Sequence, residues 1–245
     1  MPTINLLNSV KPPLENGIIP SRASMAGVTT RGTLKRAIIG MILGDGYMQM
    51  HDRNARLETS SICLPYIKWK KEFMEKFTSV KIYEKKGWKS ENPIYRAVTL
   101  NHPVFTKLYY HCYHDGRKTV DDFVLKQVDG LSLLIWFLDD GNFYKSKRSK
   151  GEMQIGLATH NFTYAENLLI QKVMNDKLGL RWNLQQQWRK DRNKRYYFLQ
   201  LKAKDRLRFY YLIEPYVKYV PMEMLYKIPT KTDIMSSRTR YEDIV

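Results

Sequence analysis

Apolar side chains recur at helical spacing along the segment that begins at Leu34. They return every three or four residues as far as Ile42, and the run is longer than an ordinary strand, so the pattern predicts a helix. This helix leads into Gly-Asp-Gly, in which Asp45 is the acid. A similar sequence comes 95 positions later (140 minus 45), where an apolar run over 131–138 leads to Asp140. By itself the second run is compatible with a helix or a buried strand.

The segments that follow the two acids come in the same order. Each acid is followed by a polar, basic segment of extended character, then by a helical pattern, a pair of strand patterns and a last helix. The strand pairs are predicted around 80–100 and 181–202, and the last helices begin at Pro103 and near Asp205. Because this order is written twice, the sequence predicts two similar α/β halves.

The middle helix of each half has its own signal. Thr163 and Glu166 have the spacing of a capping box, which predicts a helix start in the second half. In the first half the large apolar residues return at helical spacing, and we interpret them as core rather than as a stacking surface. These residues are Tyr66, Trp69, Phe73 and Phe77.

Segments without periodicity set the expected domain boundaries. Residues 1–32 are rich in Pro, Gly, Ser and Thr and are expected to form a loose N-terminal arm, and residues 231–245 a peripheral tail. Between them we place a first repeat at 33–126 and a second at 127–230. The N-terminus lacks a basic region followed by a sustained apolar one, so we expect no signal peptide, and no apolar run has the length of a membrane span.

Charge indicates the kind of partner. The chain has 41 Lys and Arg against 24 Asp and Glu, a net charge of +17. A balance this basic points to nucleic acid, because phosphate contacts by Lys and Arg release counterions. A solubilising surface and a ribosome-associated protein are the alternatives. The two cysteines, Cys63 and Cys112, are too few for a disulfide framework, so we expect an intracellular protein of an organelle or a prokaryotic cytoplasm.

The two acids have the chemistry of a divalent-metal site. A carboxylate at the C-terminal end of a helix lies near unpaired carbonyls and the negative end of the helix dipole, so a cation should compensate it. Gly46 and Gly141 suit the left-handed residue that ends a helix. Carboxylates and carbonyls together are the hard oxygen ligands of Mg²⁺ or Ca²⁺. Either Asp-Gly alone is an ordinary turn, but the duplication favours one shared site formed by Asp45 and Asp140.

These segments resemble the motif of the LAGLIDADG homing endonucleases. Residues 38–46 (IIGMILGDG) match the nine-residue motif with Asp45 at its eighth place, and residues 133–141 (LLIWFLDDG) match a degenerate second copy. The resemblance extends over residues 33–230 and is greatest to the single-chain members that carry two motifs.

The resemblance implies an architecture and a reaction. The architecture is α/β of the mixed α+β kind: a monomer of two pseudo-symmetric αββαββα repeats, with the motif helices at the centre and antiparallel sheets forming a saddle over DNA. The reaction is hydrolysis of phosphodiester bonds, with Mg²⁺ held by Asp45, Asp140 and backbone oxygens near Gly44 and Asp139. Mn²⁺ is expected to substitute, and Ca²⁺ to bind without supporting cleavage. The product would be a double-strand break with 3′ overhangs.

Two further segments resemble those in which the monomeric members carry a basic residue near the active site. They are RKTV and MLYKIP, and they place such residues at Lys118 and Lys227. The resemblance implies that these lysines polarise the water network or stabilise charge on the phosphate.

The two motifs differ from each other in two ways. At the third position the first has Gly40 and the second has Ile135, so we expect asymmetric packing of the motif helices. Asp139 beside Asp140 leaves two candidates for the ligating carboxylate of the second motif. The alignment favours Asp140, because it directly precedes glycine.

Polar residues at strand spacing predict the surface that contacts DNA. The segment from 181 alternates, so that Trp182, Leu184 and Trp188 fall on one face and polar residues on the other, where they could read base edges or form an ordinary solvated face. The polar residues are Asn183, Gln185, Gln187 and Arg189. A basic loop is assigned to phosphate contacts, with Lys145, Lys147, Arg148 and Lys150. The first repeat offers Gln49, His51, Arg53, Arg56, Lys81, Lys85 and Arg96.

We therefore expect a Mg²⁺-dependent, site-specific endonuclease that cuts double-stranded DNA at a long target and takes part in intron homing. The alternative is an RNA maturase on the same scaffold, with intron RNA as its partner. The presence of both acids favours cleavage, because a pure binding protein has no need of two carboxylates beside phosphates. His111, Cys112 and His114 lack a second spaced pair of ligands, which argues against zinc.

Overall fold

Two four-stranded antiparallel sheets and the helices packed on them make up most of the structure, a computed structural model that describes residues 30–86, 92–146, 152–189 and 193–236. The first half contains α1 (Arg31–Leu43), β1 (Tyr47–His51), β2 (Asn54–Ser61), α2 (Leu64–Met74), β3 (Val80–Lys86), β4 (Pro93–Thr99) and α3 (Pro103–Cys112). A connecting segment contains β5 (Tyr113–His114), β6 (Arg117–Lys118) and α4 (Asp122–Leu125). The second half contains α5 (Gly130–Asp140), β7 (Gly141–Ser146), β8 (Glu152–Ala158), α6 (Tyr164–Leu178), β9 (Trp182–Arg189), β10 (Lys194–Leu201) and α7 (Arg206–Val217), and α8 (Lys231–Ser236) follows.

The two sheets have the same topology. Their strand orders are β1-β2-β4-β3 and β7-β8-β10-β9, and every neighbouring pair is antiparallel. In each half a motif helix leads directly into an edge strand of its own sheet. The predicted fold class, two αββαββα repeats, is confirmed.

The motif helices α1 and α5 pack against each other between the two sheets. A Cβ atom on Gly40 would lie 2.6 Å from the carbonyl oxygen of Ser132 and 3.0 Å from Cβ of Ile135, so only glycine allows this approach. From Gly130 to Leu138 every residue of α5 is buried, because α1, α7 and the second sheet surround it. This burial explains why the apolar run of the second motif shows no polar face.

The connecting segment carries a feature that the sequence patterns did not predict. β5 and β6 form a two-residue hairpin in which Asp115 and Gly116 both have positive φ, 49° and 73°. Asp-Gly is a favoured pair for this type of turn, because its twist matches that of the strands. The hairpin ends at Lys118, which it brings to the C-terminal end of α1.

The chain ends of the repeats differ in detail from the prediction. Thr30 caps α1, so the helix begins two residues inside the expected arm, and residues 1–29 lie outside the described part. The segment expected as a peripheral tail begins with α8, in which Ile234 is 1% exposed, while residues 237–245 lie outside the described part. Phe77 follows the end of α2 but still packs against the core. Among the described helices, none combines the length and apolarity that crossing a membrane requires.

Candidate active site

The motif helices end side by side, but they end differently. α1 stops at Leu43, and the chain turns through Asp45 so that the N–H of Gly46 reaches back to the carbonyl of Met41 at 2.7 Å. α5 instead continues through Asp140.

The left-handed conformation predicted for Gly46 and Gly141 is wrong. Gly141 has φ −81° and ψ 153°, and among the glycines of the described ranges only Gly116 and Gly179 have positive φ. Glycine is needed here for close packing, because a Cβ on Gly46 would lie 2.4 Å from the carbonyl oxygen of Met41. A Cβ on Gly141 would lie 2.2 Å from a ring carbon of Phe137. Both glycines therefore let the strand leave close to its own helix.

The two motif carboxylates lie in an environment that disfavours their charge. Burial raises the pKa of Asp140 to about 7, and the neighbouring carboxylates of Asp45 and Asp139 add to the effect. Burial also raises the pKa of Asp45, again with Asp139 as a contributor. The ammonium groups of three lysines oppose this rise at Asp45: Lys70, Lys118 and Lys227. The site therefore brings three carboxylates and three ammonium groups together in a largely buried place.

Two lysines occupy matching positions at the helix ends. Lys118 Nζ donates a hydrogen bond to the carbonyl of Gly44 at 2.8 Å, and Lys227 Nζ donates to the carbonyl of Asp139 at 2.9 Å. Lys227 also donates to the carbonyl of Leu138. Burial lowers the pKa of both lysines, and the motif carboxylates oppose that shift. Each repeat thus brings together one carboxylate, the carbonyl of the preceding residue and one ammonium group.

The side chain of Asp139 makes different contacts from that of Asp140. It is fully buried, and its Oδ1 accepts hydrogen bonds from Lys70 Nζ at 2.6 Å and from the Tyr66 hydroxyl at 2.8 Å. Its Oδ2 accepts from the N–H of Asp45 at 3.1 Å. Protein donors therefore engage both oxygens of Asp139, which leaves its backbone carbonyl as the group that faces Lys227.

The sequence analysis missed Lys70 and Tyr66 as residues of this site. Lys70 lies four residues after Tyr66 and three before Phe73, so it falls on the apolar face of α2. A lysine on such a face was a signal, because a buried ammonium needs an anionic or hydrogen-bonding partner. The identity of that partner, Asp139 in the other repeat, had no signal in the sequence.

The first sheet presents a basic polar face. Register pairs Gln49 with Arg56 and Lys85 with Ile94, and cross-strand partners share one face. Arg56 donates to Gln49 Oε1 at 2.7 Å. The strand residues predicted for DNA contact in this repeat all lie on this face, namely Gln49, His51, Arg56, Lys81, Lys85 and Arg96. The remaining predicted residue, Arg53, lies in the turn between β1 and β2. Sequence analysis missed two exposed tyrosines of the same face, Tyr47 and Tyr83.

The second sheet presents a face of neutral amides and aromatic rings. Register places Asn183 and Gln185 on it, opposite Gln200 and Phe198 of β10. Gln187, Asn142, Tyr144 and Gln154 share this face. Lys145 is paired with buried Met153 and so lies on the opposite face of β7. The predicted contacts Lys147, Arg148 and Lys150 lie outside the described residues, as does the side chain of Arg189. Trp182 is buried on the helix side, whereas Trp188 is 52% exposed.

Residues 35–209 match the LAGLIDADG DNA endonuclease family, and the chain belongs to that family. The predicted family and enzyme class, a DNA endonuclease, are confirmed. The chain is 30% identical over 206 residues to the probable intron-encoded endonuclease 1 of Wickerhamomyces canadensis, across 79% of this chain and 83% of that one. It is 26% identical over 190 residues to an uncharacterised protein of Methanocaldococcus jannaschii, across 75% of this chain and 70% of that one.

A solved structure of the homing endonuclease I-WcaI bound to its DNA recognition sequence is similar to this protein. The TM-score is 0.68 at 25% sequence identity, and the match covers 88% of this chain and 96% of that chain.

Proposed function

We propose that this protein is a site-specific endonuclease that cuts both strands of a long DNA target and leaves 3′ overhangs. The observation that carries the proposal is the repeated set at the ends of α1 and α5. One set is Asp45, the Gly44 carbonyl and Lys118, and the other is Asp140, the Asp139 carbonyl and Lys227. Two equivalent sets suit a duplex, because it presents two phosphodiester bonds related by a twofold axis.

The donor atoms of the two sets suit Mg²⁺. They are carboxylate and carbonyl oxygens, which are the ligands that this ion prefers. No group of three or more His, Cys, Asp or Glu residues in the described part of the chain is placed to hold a metal ion, so carbonyl, water and phosphate oxygens would complete the coordination. Burial, and then the charge of Asp45, raises the pKa of Asp140, and a divalent cation bound there would favour its charged form.

In this proposal Asp45, Asp140 and the carbonyls of Gly44 and Asp139 hold Mg²⁺. The bound ion supplies Lewis-acid chemistry, which activates water and neutralises charge on the scissile phosphate. Mn²⁺ would substitute, and Ca²⁺ would bind without supporting cleavage.

The lysines serve the reacting phosphates in this proposal. Lys118 and Lys227 each contact the carbonyl of the residue directly before a motif acid, and each ammonium keeps at least one donor hydrogen beyond those it gives to carbonyl oxygens. A preorganised cation at this place stabilises the extra charge that develops on the phosphate oxygens during attack by water. Burial lowers the pKa of both lysines, and the carboxylates of Asp45, Asp139 and Asp140 oppose that shift, which favours the charged form that this role requires.

The polar faces of the two sheets are the surfaces that we propose for DNA. The first face carries Lys81, Lys85 and Arg96, which suit phosphate oxygens and guanine. The second face carries Asn183, Gln185 and Gln187, which suit adenine. The half of the target under the second sheet is therefore expected to be read more through A·T pairs. That I-WcaI has been seen with its DNA recognition sequence supports DNA rather than intron RNA as the partner.

The test is selection of a target from plasmids with randomised inserts, incubated with the protein and Mg²⁺. We expect linearised plasmids that share one long sequence, with 3′ overhangs and no product in EDTA. The Asp45→Asn/Asp140→Asn double variant is the control and should linearise nothing. Linearisation at unrelated sequences would contradict site specificity, and an intact library together with tight binding of intron RNA would favour the maturase alternative.

A further inference from the structure

A buried ion pair joins the first repeat to the second beside Asp45. Lys70 on α2 and Asp139 on α5 have side chains that are both 0% exposed, and their charged atoms lie 2.6 Å apart. Lys70 also donates to the hydroxyl of Thr59 on β2 at 3.0 Å and lies 4.5 Å from the centre of the Tyr66 ring. Two elements of the first repeat, α2 and β2, thus hold the ammonium group that pairs with this carboxylate of the second.

The contacts of the ion pair determine which group the second carboxylate oxygen of Asp139 faces. Lys70 and Tyr66 both donate to Oδ1, so Oδ2 is left to accept the N–H of Asp45 at 3.1 Å. A turn of the carboxylate away from this orientation would lengthen both the Lys70 and the Tyr66 contacts in a place that water does not reach. The oxygen that faces Asp45 is therefore fixed by contacts made on the other side of the same carboxylate.

The backbone of Asp45 needs such a partner because α1 has already ended. In the turn after Leu43, the N–H of Gly44 donates to the carbonyl of Gly40 and the N–H of Gly46 donates to the carbonyl of Met41. The N–H of Asp45 lies between these two bonds and points to Asp139 instead.

The other motif has no equivalent of this support. The residue of the first motif that corresponds to Asp139 is Gly44, and a Cβ on Gly44 would lie 2.5 Å from Asp139 Oδ2. At this position the first motif therefore has no side chain that could reach across to Asp140. Asp140 is held as a residue of its own helix α5, which continues through it.

We propose that Asp139, held by Lys70 and Tyr66, is a positioning residue that sets the place of Asp45 and does not set that of Asp140. The inference rests on the proposed function. Because each carboxylate belongs to one of the two equivalent sets, loss of this support slows the cut of one strand more than the cut of the other.

The experiment measures the two cuts separately. A duplex that contains the selected target carries a different fluorophore on each strand, and single-turnover rates are followed for both strands with Mg²⁺. The main variant is Asp139→Asn, which keeps the size of the side chain but cannot accept at both oxygens. Tyr66→Phe is the second variant, because it keeps the ion pair and removes only the hydroxyl that holds Oδ1.

Asp205→Asn is the matched control. Asp205 is also a buried carboxylate, with a side chain 7% exposed, and it also pairs with a cation and accepts a backbone N–H. Its partner is Arg181, which precedes β9 and belongs to neither motif helix. Loss of its charge should lower thermal stability, as a structural defect does. It should not slow the cut of one strand more than the cut of the other.

We expect Asp139→Asn to change the ratio of the two strand rates by about tenfold or more, and Tyr66→Phe to change it in the same direction by about threefold, with DNA binding retained. Asp205→Asn should leave the ratio at the wild-type value. Equal slowing of both strands by a folded Asp139→Asn protein would overturn the positioning role. If Asp139→Asn does not fold, an unchanged ratio in Tyr66→Phe overturns it. Failure of the wild type to cut any selected target would contradict the proposed function instead.

Discussion

The ammonium group of Lys118 lies 2.8 Å from the carbonyl oxygen of Gly44, the residue directly before Asp45. Lys227 has the same relationship to Asp139, the residue directly before Asp140, at 2.9 Å. The two lysines reach these carbonyls from 74 and 88 positions further along the chain. This repeated relationship places one positive charge beside each motif acid, and it leads to the first prediction.

Replacing Lys118 or Lys227 by Met should slow cleavage more than it weakens binding. We expect the single-turnover rate to fall by about 10²-fold, because a preorganised cation is lost where charge develops on the phosphate. The dissociation constant for the target should change only slightly. Lys81→Met on the sheet face is the comparison, since it should weaken binding and leave the rate of the bound complex unchanged. Equal losses of rate and affinity in the Lys118 variant would mean that this lysine is only a phosphate anchor.

Asp45→Asn and Asp140→Asn should each abolish double-strand cleavage while the protein still binds its target. The amide keeps the shape of the side chain but lacks the charge that a divalent cation requires. Binding is measured by titration of labelled target in Ca²⁺, and cleavage by conversion of supercoiled plasmid to the linear form in Mg²⁺. Asp176→Asn provides the control, because Asp176 is an exposed carboxylate on α6 that pairs with Lys172. Full linearisation by either motif variant would argue against a shared site.

Stability should depend on pH through Asp140. Burial and the neighbouring carboxylates raise the pKa of its folded form to about 7 from an ordinary value of 3.8, so the folded protein holds the proton more tightly than the unfolded chain. The contribution of Asp140 to the free energy of unfolding therefore falls as pH rises from about 4 through about 7. Without divalent cations, Asp140→Asn should be more stable than the wild type at pH 8 by up to about 4 kcal/mol, and little different at pH 4.

Urea denaturation in EDTA at several pH values measures this difference. Adding Mg²⁺ at pH 8 should then raise the stability of the wild type more than that of Asp140→Asn, because an ion that binds only the folded state stabilises it. A variant that is less stable than the wild type at pH 8 would contradict the prediction.

The two sheet faces should respond differently to truncation. Gln185→Ala should relax the base preference at one position of the target at a cost of about 1–3 kcal/mol, because a side chain that pairs with a base edge is lost. Lys85→Ala should weaken binding to all sequences and lower the slope of affinity against salt by about 1. Binding to a panel of single-base target variants at several salt concentrations separates the two effects. An unchanged preference after Gln185→Ala would remove this residue from base reading.

Much of the fold and the pair of candidate acids could be predicted from the sequence. Helical and strand periodicity, the capping box at Thr163 and the repeated Asp-Gly are all local signals, and a helix or strand responds mainly to such signals. The two lysines followed from short segments that resemble the family. For these reasons the sequence predicts the order of elements and the residues Asp45, Asp140, Lys118 and Lys227.

Local signals were not sufficient where the backbone conformation depends on packing. Gly46 and Gly141 were expected to be left-handed, but they are glycines because Met41 and Phe137 lie too close for a Cβ. The face on which Lys145 lies depends on the register of β7 with β8, which no short segment reveals.

The sequence by itself determined the family, the two repeats and the acids that each motif carries, because those properties are written in contiguous residues. Only the tertiary structure decided what Asp139 does. Its partner Lys70 is 69 residues away in the other repeat, and the two charges must pair because both side chains are shielded from water where α2 meets the end of α5. Burial of this kind depends on how the two repeats meet, so it has no counterpart in the order of residues along the chain.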